Sequence, residues 1–260
     1  MSSSVIDSPV RSEERDGVLI LTIDREHAGN SICRDTAQAM RDALDRIAGR
    51  TDLRGVVITG AGDRFFCSGG DLKAYRAIET PTELSETFAV VRGLLDALEA
   101  HPLPIVAAIN GYALGGGAEL AVACDLRFAK SGVKIGMPQA RLGIIPGWNG
   151  AERLMKVVGY PKAMRMLLSC EQMTAEAAQA EGLVDTVTAT DVVDEAVGFL
   201  AGLPAAPLAV SATKRALRAA AQGEGRAIGE AILEELWFSE DHREAERAFA
   251  EKRPPVFQGR

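Results

Sequence analysis

The sequence predicts an α/β protein whose first two thirds alternate strands with helices and whose last third is almost continuous helix. Three observations carry this. Short apolar runs at residues 17–24, 55–59 and 105–109 read as strands, being too short for helices and bounded by glycine, proline or polar residues. Residues 34–49 place Ala37, Met40, Leu44 and Ile47 at helical spacing, with Gly49 as a stop. Residues 174–181, 205–222 and 224–238 are helical in pattern and separated only by short polar breaks or glycine. With 260 residues, 47% of them hydrophobic, the chain can bury a full core as one large domain or one domain with a small appendage.

In chain order, MSSSVIDSPVRSEERDG opens the sequence with Asp7, Glu13, Glu14 and Asp16, acids that a mitochondrial presequence avoids, and no apolar core follows a basic start. Residues 1–16 are therefore expected to be a disordered leader. After the strand at 55–59, GAGDRFFCSGGDLKAY carries Gly69 and Gly70, whose backbone N–H groups lie open just before a helical stretch. Thr80, Pro81 and Glu83 then fit an N-cap, a first-turn proline and a capping-box acid. Leu84, Phe88, Val91, Leu95 and Leu98 form one face of that helix, which ends at Pro102.

The richest stretch is IVAAINGYALGGGAELAVACD, residues 105–125, read as strand 105–109, loop 111–117 and helix 118–124. The first N–H groups of a helix lack intrahelical partners and share the positive end of its dipole, so glycines there can bring bare donors close to a substrate oxygen. Glu119 lies in the first turn, and a lone carboxylate among apolar residues is costly unless paired or functional. Two readings stand at this point: an anion site beside a catalytic acid or base, or a helix capped by packing glycines.

A formal charge of −7 leaves no basic stripe for a phosphate backbone, so nucleic acid is not expected as a partner. Cys33, Cys67, Cys124 and Cys170 show neither paired metal spacing nor a disulfide framework, which fits a reducing cytoplasm. His27, His101 and His242 are scattered, so no metal site is expected. No run of about 18 apolar residues exists to span a membrane.

FFCSGGDLK, INGYALGGGAEL and MPQARLGIIPGWNGAERL, in that order and spacing, resemble the acyl-CoA site of the crotonase (enoyl-CoA hydratase/isomerase) superfamily. SEDHREAERAFAEKRPPVF is similar to that family's closing helix, and the resemblance runs from about residue 18 to 257. It implies a crotonase-like layered ββα spiral core over 17–200 with a C-terminal helical trimerisation region over 201–260, assembled as a homotrimer or a dimer of trimers. Apolar Ala216, Leu217, Ile228, Ile232, Leu236 and Trp237 in that region need covering by the core or by another subunit.

The resemblance also assigns chemistry. The N–H groups of Gly70 and Gly116 become an oxyanion hole for a thioester carbonyl. Two fixed donors there matter more than any single acid or base, since hydration, isomerisation and decarboxylation all place charge on that oxygen. Glu119 corresponds to the first of the two glutamates used by the family's hydratases, and Gln139 stands at the second. An amide can hold water but cannot exchange protons at ordinary pH, so Glu119 would do both jobs in turn or Gln139 would simply pack. Trp148 in PGWNG would narrow the pocket or pack in the core. PGWxG-like segments resemble those of relatives that decarboxylate malonyl-type esters. Cys67 and Leu72 border the same pocket, and Cys67 has no histidine motif to activate it as a nucleophile.

The substrate is then an acyl-CoA thioester, with no cofactor beyond its own CoA. His27, Lys73, Phe249 and Lys252 are the candidates to hold the CoA, the cations for phosphate and the phenyl ring for adenine, each lysine being otherwise a solvated charge. Addition or removal of water at a 2-enoyl-CoA is the leading activity. Decarboxylation of malonyl-type esters, isomerisation, and CoA-ester binding without turnover are the alternatives; an RNA-binding scaffold conflicts with the acidic balance.

Overall fold

The computed structural model describes residues 8–260. Its centre is a six-stranded sheet formed by β1 (Val10–Arg15), β2 (Val18–Ile23), β3 (Gly55–Gly60), β5 (Ile105–Ile109), β7 (Leu126–Lys130) and β10 (Thr186–Thr188), adjacent in that order. Only the β1–β2 pair is antiparallel. A smaller sheet of β4 (Phe65–Cys67), β6 (Tyr112–Leu114), β8 (Lys134–Gly136) and β9 (Met173–Thr174) stands beside it.

Both faces of the large sheet are covered, which is why its central strands read as unbroken apolar runs. Leu19, Leu21, Ile23, Val56 and Ile58 point into the main core with α1 (Arg34–Ile47), α3 (Pro81–Ala100) and α4 (Gly116–Ala123). The alternate residues Val18, Ile20, Val57, Val106 and Ala108 pack against Val192, Ala196, Val197 and Leu200 of α8 (Val192–Ala201).

The expected leader is corrected over its second half. Val10–Arg15 pairs in register with Val18–Ile23 as an edge strand, while residues 1–7 lie outside the described residues. Four of its six side chains are exposed, so β1 exists through backbone pairing and its charges guard the sheet edge. The loop expected at 111–117 is also corrected: Tyr112–Leu114 is a strand and α4 begins at Gly116.

Two crossovers carry the chain from the large sheet to the small one and into a helix. One runs from β3 through β4 to α2 (Leu72–Tyr75), the other from β5 through β6 to α4. Parallel pairing of β4 with β6 sets them side by side. Asn110 ties their roots, accepting from Gly60 N and donating to the carbonyls of Gly60 and Gly62 at 2.7 Å each.

The middle of the chain adds α5 (Gly150–Val158), α6 (Tyr160–Ser169) and α7 (Ala175–Ala180). The tail is α9 (Pro207–Ala221), α10 (Gly225–Trp237) and α11 (Glu240–Glu251). Lys214 on α9 docks it: Nζ donates to Asp125 at 2.7 Å and to the carbonyls of Leu98 and Leu103, and Asp125 also accepts from Ile105 N at the start of β5. Leu217, Leu233, Trp237, Phe238 and Phe249 of these helices remain exposed. Among the described residues no helix is long and apolar enough to cross a membrane.

Candidate active site

The two crossovers meet at their glycines. Gly69 has φ +113° and Gly115 φ +56°, left-handed conformations that a side chain would strain. A Cβ on Gly69 would come 3.1 Å from the Gly116 nitrogen, and one on Gly117 would overlap the Cys67 carbonyl, so only glycine lets these backbones touch. Ile32 N donates to Gly69 O at 2.8 Å and Asp71 N to Ile32 O at 3.2 Å, which fixes the first turn from behind. Among the described residues, the N–H groups of Gly70 and Gly116 have no protein acceptor. Gly116 opens α4, where an N–H has no intrahelical partner, so the structure places two glycines with free donors on one cleft.

One turn into α4, Glu119 is 2% exposed. Its Oε2 accepts from Trp148 N at 2.8 Å and Gly150 N at 2.9 Å, and its Oε1 from Gln139 Nε2 at 2.9 Å. Burial pushes the carboxyl above the usual glutamate range, and these donors, with the Gly147 amide, only partly offset it. Gly150 must be glycine, because a Cβ there would overlap the Glu119 side chain. Asn149, in the left-handed region at φ +65°, turns the chain so that both amides face the carboxylate.

Gln139 sits in the 3₁₀ turn Pro138–Leu142. A carboxylate accepts only, so the amide nitrogen must face Glu119, leaving Gln139 Oε1 buried with no protein donor. Trp148 is both of the things expected of it. It is 3% exposed, yet its ring borders the cleft and packs on Gly116, where a Cβ would overlap it. Arg153, also buried, donates to Trp148 O at 2.5 Å and pairs with Asp96 and Glu99 of α3, holding the loop that captures Glu119.

A cleft of about 680 Å³ joins Gly70, Gly116, Glu119, Gln139, Trp148, Leu72, Lys73 and His27. Arg25 and Arg141 add positive charge to its lining, and Arg25 pairs with Asp71 at 2.9 Å, which in turn caps α2. Cys67 is not there, which corrects its expected place. It is fully buried, and burial pushes its thiol up to about 12, so it is packing and no nucleophile. Phe249 and Lys252 are not brought to the cleft of their own chain either: Phe249 is 87% exposed on α11 and Lys252 ends that helix with φ +54°. Among the described residues no group of three or more His, Cys, Asp or Glu is placed to hold a metal.

Four contributors escaped the sequence reading. The amides of Trp148 and Gly150 had one readable trace, the Asn-Gly pair. Arg153 had none. Tyr75, at the end of α2, lines the cleft with its ring 4.9 Å from that of Phe88 and its hydroxyl buried and unpaired.

The profile of the enoyl-CoA hydratase/isomerase family matches residues 13–260. The chain belongs to that family. Two similar members are the 2,3-dehydroadipyl-CoA hydratase of Escherichia coli, 38% identical over 94% of this chain and 96% of that protein, and the (E)-benzylidenesuccinyl-CoA hydratase of Thauera aromatica, 36% identical over 96% and 99%. An enoyl-CoA hydratase from Bacillus anthracis superposes with a TM-score of 0.92 at 29% identity, covering 97% of this chain and all of that one. The layered core described above is thus the crotonase fold, and the Gly70–Gly116 pair lies where this family member turns two backbones toward one cleft.

Proposed function

We propose that the protein is an enoyl-CoA hydratase with a single acid–base carboxylate, Glu119. The observation that carries this reading is the Glu119–Gln139 contact, in which Gln139 Nε2 donates to Glu119 Oε1 at 2.9 Å while both residues line the cleft. A water donating to both would be aimed by Gln139 and deprotonated by Glu119. As its oxygen bonds to C3 of a 2-enoyl-CoA, the electron pair of the C2–C3 double bond moves onto the thioester oxygen, held by the N–H groups of Gly70 and Gly116. Protonated Glu119 then returns the proton to C2 on the same face, giving the 3-hydroxyacyl-CoA with atoms and charge balanced. The raised pKa of Glu119 favours this exchange, because base and acid forms come closer in energy near neutral pH.

The chemistry asks for no group beyond the substrate's own CoA. His27, Lys73, Arg25 and Arg141 would steer its phosphates, while Phe249 and Lys252 could serve only through a second copy of the chain. The exposed apolar residues of α9, α10 and α11 support assembly through the tail, as a trimer or a dimer of trimers. Four free thiols support the cytoplasm as the compartment.

The test is incubation with enoyl-, 3-hydroxyacyl- and malonyl-type CoA esters, read by mass spectrometry. Gain of one water on crotonyl-CoA is expected. Loss of CO₂ from methylmalonyl-CoA with no hydration of any short or medium enoyl ester would replace this reading by the decarboxylase.

A further inference from the structure

Tyr75 presents a polar atom that the fold leaves unused. Its hydroxyl is shielded from solvent and its proton has no acceptor, the neighbouring Trp148 indole being a donor only. A buried hydroxyl without a partner is destabilising, so the position is hard to explain by packing alone. The ring is fixed against Phe88, itself wedged beside Gly147, where a Cβ would overlap it. The hydroxyl lies against Gly70: a Cβ there would overlap the oxygen and the adjoining ring atoms.

A phenol proton in this place needs an acceptor. Glu119, whose charge acts on the phenol, already takes N–H bonds from Trp148, Gly150 and Gln139 and makes none with Tyr75. Burial, with Glu119 close by, pushes the phenol up to about 12, so it stays protonated at working pH and can donate but not act as a base. Beside Gly70, the group that gains negative charge during the reaction is the thioester oxygen.

We propose that Tyr75 Oη–H is a substrate-contacting donor, joining the Gly70 and Gly116 N–H groups on the thioester oxygen. This rests on the oxyanion-hole reading above but not on the choice of reaction, because every enolate-forming reaction loads the same oxygen. It gives the single-carboxylate site a third donor to hold the enolate while Glu119 changes from base to acid.

The experiment compares the parent with Tyr75→Phe, using butyryl-CoA labelled with ¹³C at the carbonyl and infrared difference spectroscopy. The saturated ester cannot be hydrated, so it reads carbonyl polarisation alone. Bound to the parent, its carbonyl stretch should fall below the free value; in Tyr75→Phe it should return part of the way. Crotonyl-CoA and longer enoyl esters should all lose about tenfold or more in kcat, with KM changed less than about twofold. The melting temperature should hold or rise, since the variant deletes only an unpaired buried hydroxyl. An identical carbonyl shift in both proteins, or a loss confined to one acyl class, overturns the proposal. A parent that shifts the carbonyl but hydrates nothing would sink the hydratase reading and leave the donor in place.

Discussion

The two halves of the proposed oxyanion hole are built in opposite ways. The Gly116 donor opens α4, in which seven of eight residues are buried, and its neighbour Gly117 is pressed onto the Cys67 carbonyl. The Gly70 donor precedes α2, a single turn with no buried residue, held by the Asp71 cap and the Arg25–Asp71 pair. One donor is fixed by close core packing and the other by polar contacts, the Ile32 backbone bonds behind it and the Asp71 cap and ion pair before it. A core-built donor should tolerate no change, whereas a surface-built one should yield by degrees.

The largest expected effect is at Gly117. Gly117→Ala drives a methyl group into a backbone carbonyl, and separating the crossovers should cost about 3 kcal/mol or more by denaturant unfolding. A folded, fully stable Gly117→Ala protein would end the idea of a jammed core half.

Next comes the pair Gly116→Ala and Gly70→Ala. The first methyl meets the buried Trp148 ring, whose loop also holds Glu119; the second meets the outer end of Tyr75, carried by the single turn α2. Turnover of crotonyl-CoA should fall about 100-fold for Gly116→Ala and about tenfold for Gly70→Ala. The reverse order would contradict the comparison.

Asp71→Ala removes a cap and an ion pair from the surface half only. A loss of about 1 kcal/mol in stability, with KM raised more than kcat is lowered, is the expected pattern. A collapse as deep as that of Gly117→Ala would show that the two halves are built alike.

The smallest effect is a shift in pH dependence. Glu119 must be ionised to accept a proton and its pKa is raised by burial, so kcat/KM should fall on the acid side at a pH above the ordinary glutamate range. Gln139→Leu removes a donor that favours the anion, so the acid limb should move to higher pH. A limb that moves down, or not at all, would break the proposed coupling.

The same contrast explains what was legible in the chain. The core half was readable because strand and helix there are apolar and Glu119 is the conspicuous exception. The surface half was less so: the sequence displays Gly70 and Lys73, yet Tyr75 reaches Gly70 by a tertiary approach that no local pattern encodes. Likewise the amides that hold Glu119 come from 29 and 31 residues away, and backbone donors carry no side-chain signature. β1 was hidden by its charges, since an edge strand exposed on both faces lacks the alternation that marks a half-buried one. Phe249 and Lys252 lie away from the cleft of their own chain, a placement that intrachain patterning does not reveal.

The central claim is that one carboxylate, Glu119, carries both proton transfers. Its most direct test is exchange of the α-proton of butyryl-CoA with D₂O, a step that needs the base and the oxyanion hole but neither hydration nor Gln139. The parent should incorporate one deuterium at C2, and Glu119→Gln, folded and still binding the ester, should lose the exchange by about 10²-fold or more. Exchange at the parent rate in Glu119→Gln would show that another group moves the proton and would contradict the account.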